Sequence, residues 1–343
     1  MNPRHRRLLI PGLLIALLAI VLFSSLARKA EGAEAPPETV STLSDPRITE
    51  SSGLVVSTVD DDLVYTINDS GSSPIVYAVD LSSGDTVGAT KLDATLVDTE
   101  ALSIDRQGTL WIADTGDNRA NRTDVALYST PSLGRTERAA TSVKRYPISY
   151  PGGPLDVEAL AVNPVTDEKF LISKGLFGGT VFALPDPLVE GQDNRASALE
   201  GDIPGIITDA SFTPDGRYVV ARDYSEAYVL DASTWQIVAS PELPGADQGE
   251  TLAFEASGRS FLVGSEGAGS PLIRIAFTEP EPAESSEEPA APVASSAAPA
   301  APSSDADADV AATGSGFAGS TWFWAALAVG LLAAVGVAAT RRS

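Results

Sequence analysis

"DTEAL" at Asp98–Leu102 and "DVEAL" at Asp156–Leu160 write nearly the same phrase twice, an acidic pair at the threshold of an apolar run. Variants of it stand at Ile48–Leu54 ("ITESSGL"), Ile207–Phe212 ("ITDASF") and Gln248–Phe254 ("QGETLAF"). The acidic members of the five copies are Glu50, Glu100, Glu158, Asp209 and Glu250, spaced by 50, 58, 51 and 41 residues. A repeat of that length is the signature of a solenoid or a propeller.

Working outward from each phrase, the sequence reads as a short apolar strand, a turn, a second strand rich in Val, Ile and Leu, a loop and a third strand. The turns recur as "DRQG", "TPDGR" and "EASGR", where Gly108, Gly216 and Gly258 supply the backbone freedom that a tight reversal needs. A fourth strand follows in most copies, for example in "SVKRYPISY" (Ser142–Tyr150) and "WQIVASPEL" (Trp235–Leu243). Four antiparallel strands repeated five times, with hardly any amphipathic helix, imply an all-β fold, a five-bladed β-propeller with six blades as the alternative count. The last copy lacks a fourth strand, and a spare one, "ETVSTL" at Glu38–Leu43, precedes the first. Pairing the two closes the ring and removes an unpaired edge.

The flanks read differently. Residues 1–35 carry Arg4, Arg6 and Arg7 ahead of an apolar stretch, as in a signal peptide or an N-terminal signal anchor. Residues 278–317 form an Ala, Pro and acid-rich stalk, of a composition that buries too little apolar surface to order itself. Residues 318–340 read as a transmembrane helix and 341–343 as a cytoplasmic tail whose arginines follow the positive-inside rule. The propeller, 36–277, is thus expected on the outer side of a cell membrane, with the membrane as a partner through the C-terminal helix.

Composition excludes several functions. Residues 36–278 hold 36 Asp and Glu against 16 Lys and Arg, a net charge of −20, which argues against nucleic acid as a partner. The chain has no Cys, and its single His, His5, lies ahead of the propeller. The head therefore has no Ser-His-Asp triad, no thiol nucleophile and no His or Cys zinc site. Chemistry here would rest on carboxylates, with or without a metal. Trp111 and Trp235, the only tryptophans of the head, fall at strand-like positions suited to packing rather than to stacking on a sugar.

In a propeller the first strands of all blades line the axis, so Glu50, Glu100, Glu158, Asp209 and Glu250 are expected to converge on one mouth of the channel. They are the candidate metal ligands, with Ca2+ as the expected ion because it takes oxygen donors alone. Second strands end on the same face, which adds Asp69, Asp114 with Asp117, Lys174, Asp223 and Glu266. Glu100, Glu158 and Lys174 are the candidate catalytic groups. The loop "DTGDNRANRTD" at Asp114–Asp124 is the longest on this face. Asp114, Asp117, Asn118, Arg119 and Arg122 there, with Asp223 and Glu266, are candidate ligand-binding residues. The bland alternative is that these acids cap strand ends and turns.

The phrases "DTEALSID…GTLWIADTGDNRANR", "PLDVEALAVNP" and "GETLAF…GRSFLVGSEG" resemble exported propeller proteins of actinobacteria, described as WD40-like or as akin to the esterase-like region of phytases. The resemblance covers Ile48–Phe277 and implies a metal in the axial channel and hydrolysis of phosphate esters or lactones. The chain departs from the phytases in blade count, five against six, and in its basic residues, of which Lys174, Arg119, Arg122 and Arg222 are the nearest counterparts. The expectation is a membrane-anchored extracellular propeller that binds Ca2+ and a small ligand or protein partner on its acidic face. A metal-dependent hydrolase and a structural envelope protein are the alternatives.

Overall fold

The computed structural model describes residues 35–69, 73–246 and 248–280. The expected stalk beyond residue 280, the transmembrane helix, the tail and the export signal up to residue 34 lie outside the described residues.

Among the described residues, five small sheets make the propeller. Strand β1 is Glu38–Thr42, and blade 1 contains β2 (Ser51–Val56), β3 (Leu63–Asn68), β4 (Ile75–Asp80) and β5 (Thr86–Leu92). Blade 2 contains β6 (Thr99–Ile104), β7 (Thr109–Asp114) and β8 (Ala126–Pro131); β9 (Arg138–Thr141) then leaves it before β10 (Lys144–Ser149) completes it. Blade 3 contains β11 (Val157–Val162), β12 (Lys169–Ser173) and β13 (Val181–Ala183); β14 (Asn194–Arg195) then leaves it before β15 (Ser197–Ala198) completes it. Blade 4 is β16 (Asp209–Phe212), β17 (Tyr218–Arg222), β18 (Ala227–Asp231) and β19 (Ile237–Ala239). The last blade is β20 (Gly249–Phe254), β21 (Ser260–Ser265) and β22 (Pro271–Ala276).

β1 pairs antiparallel with β22, so the N-terminal strand supplies the missing outer strand of the last blade, as its sequence implies. Two further closures have no signature in the sequence. β9 leaves blade 2 to lie parallel to β5 of blade 1, and β14 leaves blade 3 to lie parallel to β10 of blade 2. Each lends the preceding blade a fifth strand and covers its edge. The three expected turn glycines all take positive φ, at 78° for Gly108, 73° for Gly216 and 68° for Gly258.

The innermost strands β2, β6, β11, β16 and β20 contact one another in that order and close the ring. Their side chains, with those of the second strands, fill five apolar clusters, one between each pair of neighbouring blades. Trp111 packs in one of them, 5.2 Å from the Tyr146 ring with its indole N–H donating to Asp105 (3.0 Å), and Trp235 packs in another against Phe170 and Phe212. Removing a residue of this kind costs about 3–5 kcal/mol in a typical core. Both ends of the described chain lie on the face where the second strands begin, because Glu38 pairs with Arg274 and Phe277 donates to Arg259 O. The starts of the innermost strands lie on the opposite face, which carries the acids.

Candidate functional site

In four blades the innermost strand slips by one residue against its neighbour, between Ser51 and Gly53, Thr99 and Ala101, Val157 and Ala159, and Gly249 and Thr251. The residues skipped are Ser52, Glu100, Glu158 and Glu250. A β-bulge of this kind re-aims one side chain out of the strand's alternation, and here it does so at the same place in four repeats. In blade 4 the innermost strand pairs with its neighbour without a slip, and Asp209 stands in register with Arg222. One equivalence expected from the sequence is corrected: the counterpart of Glu100 in blade 1 is Ser52, and Glu50 stands two residues earlier, in the register of Asp98 and Asp156. Pairing of Ser51 with Asn68 sets this register, and the Asn68 side-chain carbonyl accepts the N–H groups of Thr49 and Glu50 (both 3.2 Å). Glu50 is exposed, whereas Glu100, Glu158, Asp209 and Glu250 are buried.

Glu100 meets two acids of blades 1 and 2. One carboxylate oxygen from each of Asp69, Asp98 and Glu100 lies within 4.8 Å of the others. Two oxygens on one calcium ion are at most about 5 Å apart, since each sits at roughly 2.3–2.6 Å from the metal, so the spacing suits a shared ion. The donors are hard oxygens alone, which fits calcium or magnesium better than a softer metal. Ser52 Oγ approaches the same carboxylate at 3.3 Å while donating to the Glu100 carbonyl at 3.1 Å. Gly116 closes the cluster from above: a β-carbon there would fall 2.0 Å from Glu100 Oε1 and 2.7 Å from the Asp98 carboxylate. Burial, and after it the charges of Glu158, Asp69, Asp98 and Asp156, push the Glu100 carboxyl far above the usual carboxylate range. A proton or a cation at this corner would relieve that repulsion at neutral pH.

The other half of the mouth has a positive charge built in. Lys174 Nζ lies 3.0 Å from Glu158 Oε1 and 5.2 Å from the centre of the Tyr224 ring. Burial raises the Glu158 carboxyl, and Lys174 offsets part of that rise. Burial likewise raises Glu250 to about 7, with Lys174 again opposing. Burial works against the charge on Lys174 itself, but Glu158 and Tyr224 outweigh it and hold the ammonium charged. Glu158, paired with Lys174 on one side, raises Glu100 by its charge on the other and so links the two halves.

The Asp114–Asp124 loop is bonded largely within itself. Asp114 Oδ1 accepts the N–H groups of Val97 (3.2 Å) and Asp98 (2.9 Å) and the Arg122 guanidinium (2.9 Å). Arg122 also donates to the Gly116 carbonyl (2.6 Å), and Asp117 accepts the Arg122 N–H (2.6 Å). The Asp117 N–H in turn donates to Asp156 (2.7 Å). These bonds seat Gly116 on the acids and fix the backbone of Asp98. Asn118 and Arg119 stand exposed at the tip.

Other acids of the face are engaged in the scaffold. Asp223 caps a turn, accepting the N–H groups of Ser225 (2.8 Å) and Glu226 (2.7 Å) and the Tyr228 hydroxyl (2.9 Å). Asp209 ties blade 4 to the last blade, accepting the N–H groups of Ala210 (2.8 Å) and Leu252 (2.7 Å). Glu266 remains half-buried near Lys174, raised by burial and by Glu50. Arg222 is buried and donates to the carbonyls of Asp223, Tyr224, Thr251 and Gly264. Its space exists because residue 249 is glycine, whose β-carbon would fall 1.7 Å from the guanidinium. Asp98, Gly116 and Tyr224 were not singled out from the sequence. Asp98 opens the quoted "DTEAL", and the bulge, which the sequence does not mark, is what brings Glu100 to it.

No protein-family model matches the chain, and no curated protein matches it. Among solved structures it is similar to a gluconolactonase from Xanthomonas campestris, at 14% identity over 66% of this chain and 72% of that one, with a TM-score of 0.40. It is also similar to a luciferin-regenerating enzyme, at 11% identity over 66% of this chain and 78% of that one, with a TM-score of 0.40. Both are β-propeller proteins. The five sheets closed by β1 define this chain as a five-bladed β-propeller protein; of the resemblance expected from the sequence, the propeller fold alone is shown.

Proposed function

We propose that the acidic face binds a divalent cation, calcium by its ligand chemistry, at Asp69, Asp98 and Glu100, and that the bound ion and Lys174 together engage a ligand at the mouth of the channel. The observation that carries this reading is the approach of three carboxylates to within 4.8 Å of one another, one of them buried. Three negative charges at that spacing repel unless neutralised, and a hard cation completes its shell of about six to eight oxygens with water, backbone carbonyls or the ligand. Calorimetric titration with calcium tests it. Binding is expected in the native protein and absent in Glu100→Gln, which keeps the shape and removes the charge. Absence of binding in the native protein would defeat the reading.

A second reading, metal-dependent hydrolysis, draws on the Lys174–Glu158 ion pair beside the same acids. A screen of phosphate esters and lactones with and without chelator separates it from simple binding. Turnover that depends on calcium and falls in Glu158→Gln would favour the enzyme. Export and membrane anchoring through residues 1–35 and 318–340 belong to the same proposal, and protease accessibility of the head on intact cells tests them.

A further inference from the structure

The acidic face carries one feature that cation binding does not use. Two and three residues beyond Lys174, Leu176 and Phe177 stand 72% and 98% exposed. An exposed apolar side chain by itself means little. This pair, however, is held out by a fixed backbone. Gly179 donates its N–H to the carbonyls of Ile203 and Pro204 (both 3.1 Å), and the Ile206 N–H donates to Gly175 O (2.9 Å).

Glycines are required both within the tip and where the second segment meets it. A β-carbon on Gly175 would fall 2.0 Å from Gly178 O, and one on Gly205 would fall 2.8 Å from the carbonyls of both Gly175 and Leu176. Ile206 sits at φ 62°, a conformation that a β-branched residue adopts only when its surroundings impose it. Segment 203–206 is thus a strap that braces the tip. A backbone so constrained presents its side chains at little further entropy cost on binding.

The setting of the tip specifies its partner. Glu200 and Asp202, both exposed, directly precede the strap, and Glu226 is exposed at the hairpin tip that begins with Tyr224, the ring beside Lys174. The head as a whole carries a net charge of −20. Anionic bilayers and acidic proteins are repelled by such a surface, while a basic chain is drawn to it. We propose that the Leu176–Phe177 tip, with the acids Glu200 and Asp202 that precede its strap, forms a docking surface for a cationic polypeptide segment that carries an apolar side chain, with Phe177 as the aromatic anchor of the contact. This surface lies outside the cation site and does not depend on it.

Two fluorescent peptides of equal length and charge, one alternating Lys with Leu and one alternating Lys with Ser, test the proposal by anisotropy titration against the intact head. The Lys-Leu peptide is expected to bind at least ~10-fold more tightly. Leu176→Ser with Phe177→Ser should remove that advantage without altering the melting temperature or the calcium affinity. Glu200→Lys with Asp202→Lys should weaken both peptides. Equal binding of the two peptides, or an unchanged preference in the double serine variant, would overturn the assignment. Tip-dependent binding to vesicles of phosphatidylcholine and phosphatidylglycerol in preference to the peptide would overturn it in favour of a membrane contact, and tip-dependent dimerisation in sedimentation would overturn it in favour of a second copy. Loss of calcium binding in Glu100→Gln with peptide binding intact would separate the two sites.

Discussion

Gly116 lies directly over Glu100, with the position of its missing β-carbon 2.0 Å from Glu100 Oε1. The atom it would strike is the far end of a flexible side chain, so Gly116→Ala should displace the carboxylate rather than break the loop. Stability is expected to change by no more than about 1 kcal/mol, whereas calcium affinity should fall ~10–100-fold, as for changes that misorient a metal ligand. Parallel urea unfolding and calcium titration of the variant check both halves of the statement.

Lys174 is the internal counter-charge of Glu158, 3.0 Å away. Lys174→Met leaves a buried carboxylate without its partner, which should cost about 1–3 kcal/mol at pH 8, below the full value for a buried pair because Lys174 keeps contact with water. The loss should shrink toward pH 5, where Glu158 takes up a proton instead. Urea denaturation at the two pH values measures the difference.

Stability in the presence of chelator should fall as pH rises. Glu250 has an ordinary value of 4.5 and is raised to about 7 by burial, so between those values the unfolded chain has released a proton that the folded chain still holds. Glu100 and Glu158 shift in the same direction and extend the fall to higher pH. Asp45, lowered to about 2 by its bond to Arg47, works the other way, but its contribution is lost only as pH drops below about 4. Melting temperature without calcium should therefore be higher at pH 5 than at pH 8, and saturating calcium should narrow the gap by stabilising the ionised form.

Asp209 is expected to behave as scaffold. Its two oxygens accept the N–H groups of Ala210 and Leu252, and Asp209→Ala leaves both without an acceptor inside the protein, at a cost of ~2–4 kcal/mol. Asp209→Asn keeps one acceptor and should lose about half as much. Neither variant should alter calcium affinity, which distinguishes Asp209 from Glu100 in the same titration.

The blades were legible in the sequence because each repeats the alternation of a half-buried strand and because Gly108, Gly216 and Gly258 mark equivalent turns. Closure by β1 was legible as a strand missing from one end of the repeat and spare at the other. Residue equivalence was harder to read. An acid before an apolar run marks the start of an innermost strand, but the bulge decides which residue turns toward the mouth, and it depends on cross-strand pairing such as Ser51 with Asn68. Hence Glu50 appeared equivalent to Glu100, and Ser52 holds that place. The buried Arg222 was similarly hidden, since the cavity that accepts it is made by a glycine 27 residues further on in the next blade.

The most direct measurement is a crystal structure of the head grown with calcium, refined with anomalous differences. The expected result is a single strong peak coordinated by oxygens of Asp69, Asp98 and Glu100 at roughly 2.3–2.6 Å. A water in that position, or an ion bound elsewhere with these three carboxylates unligated, would contradict the assignment of the acidic corner as a cation site.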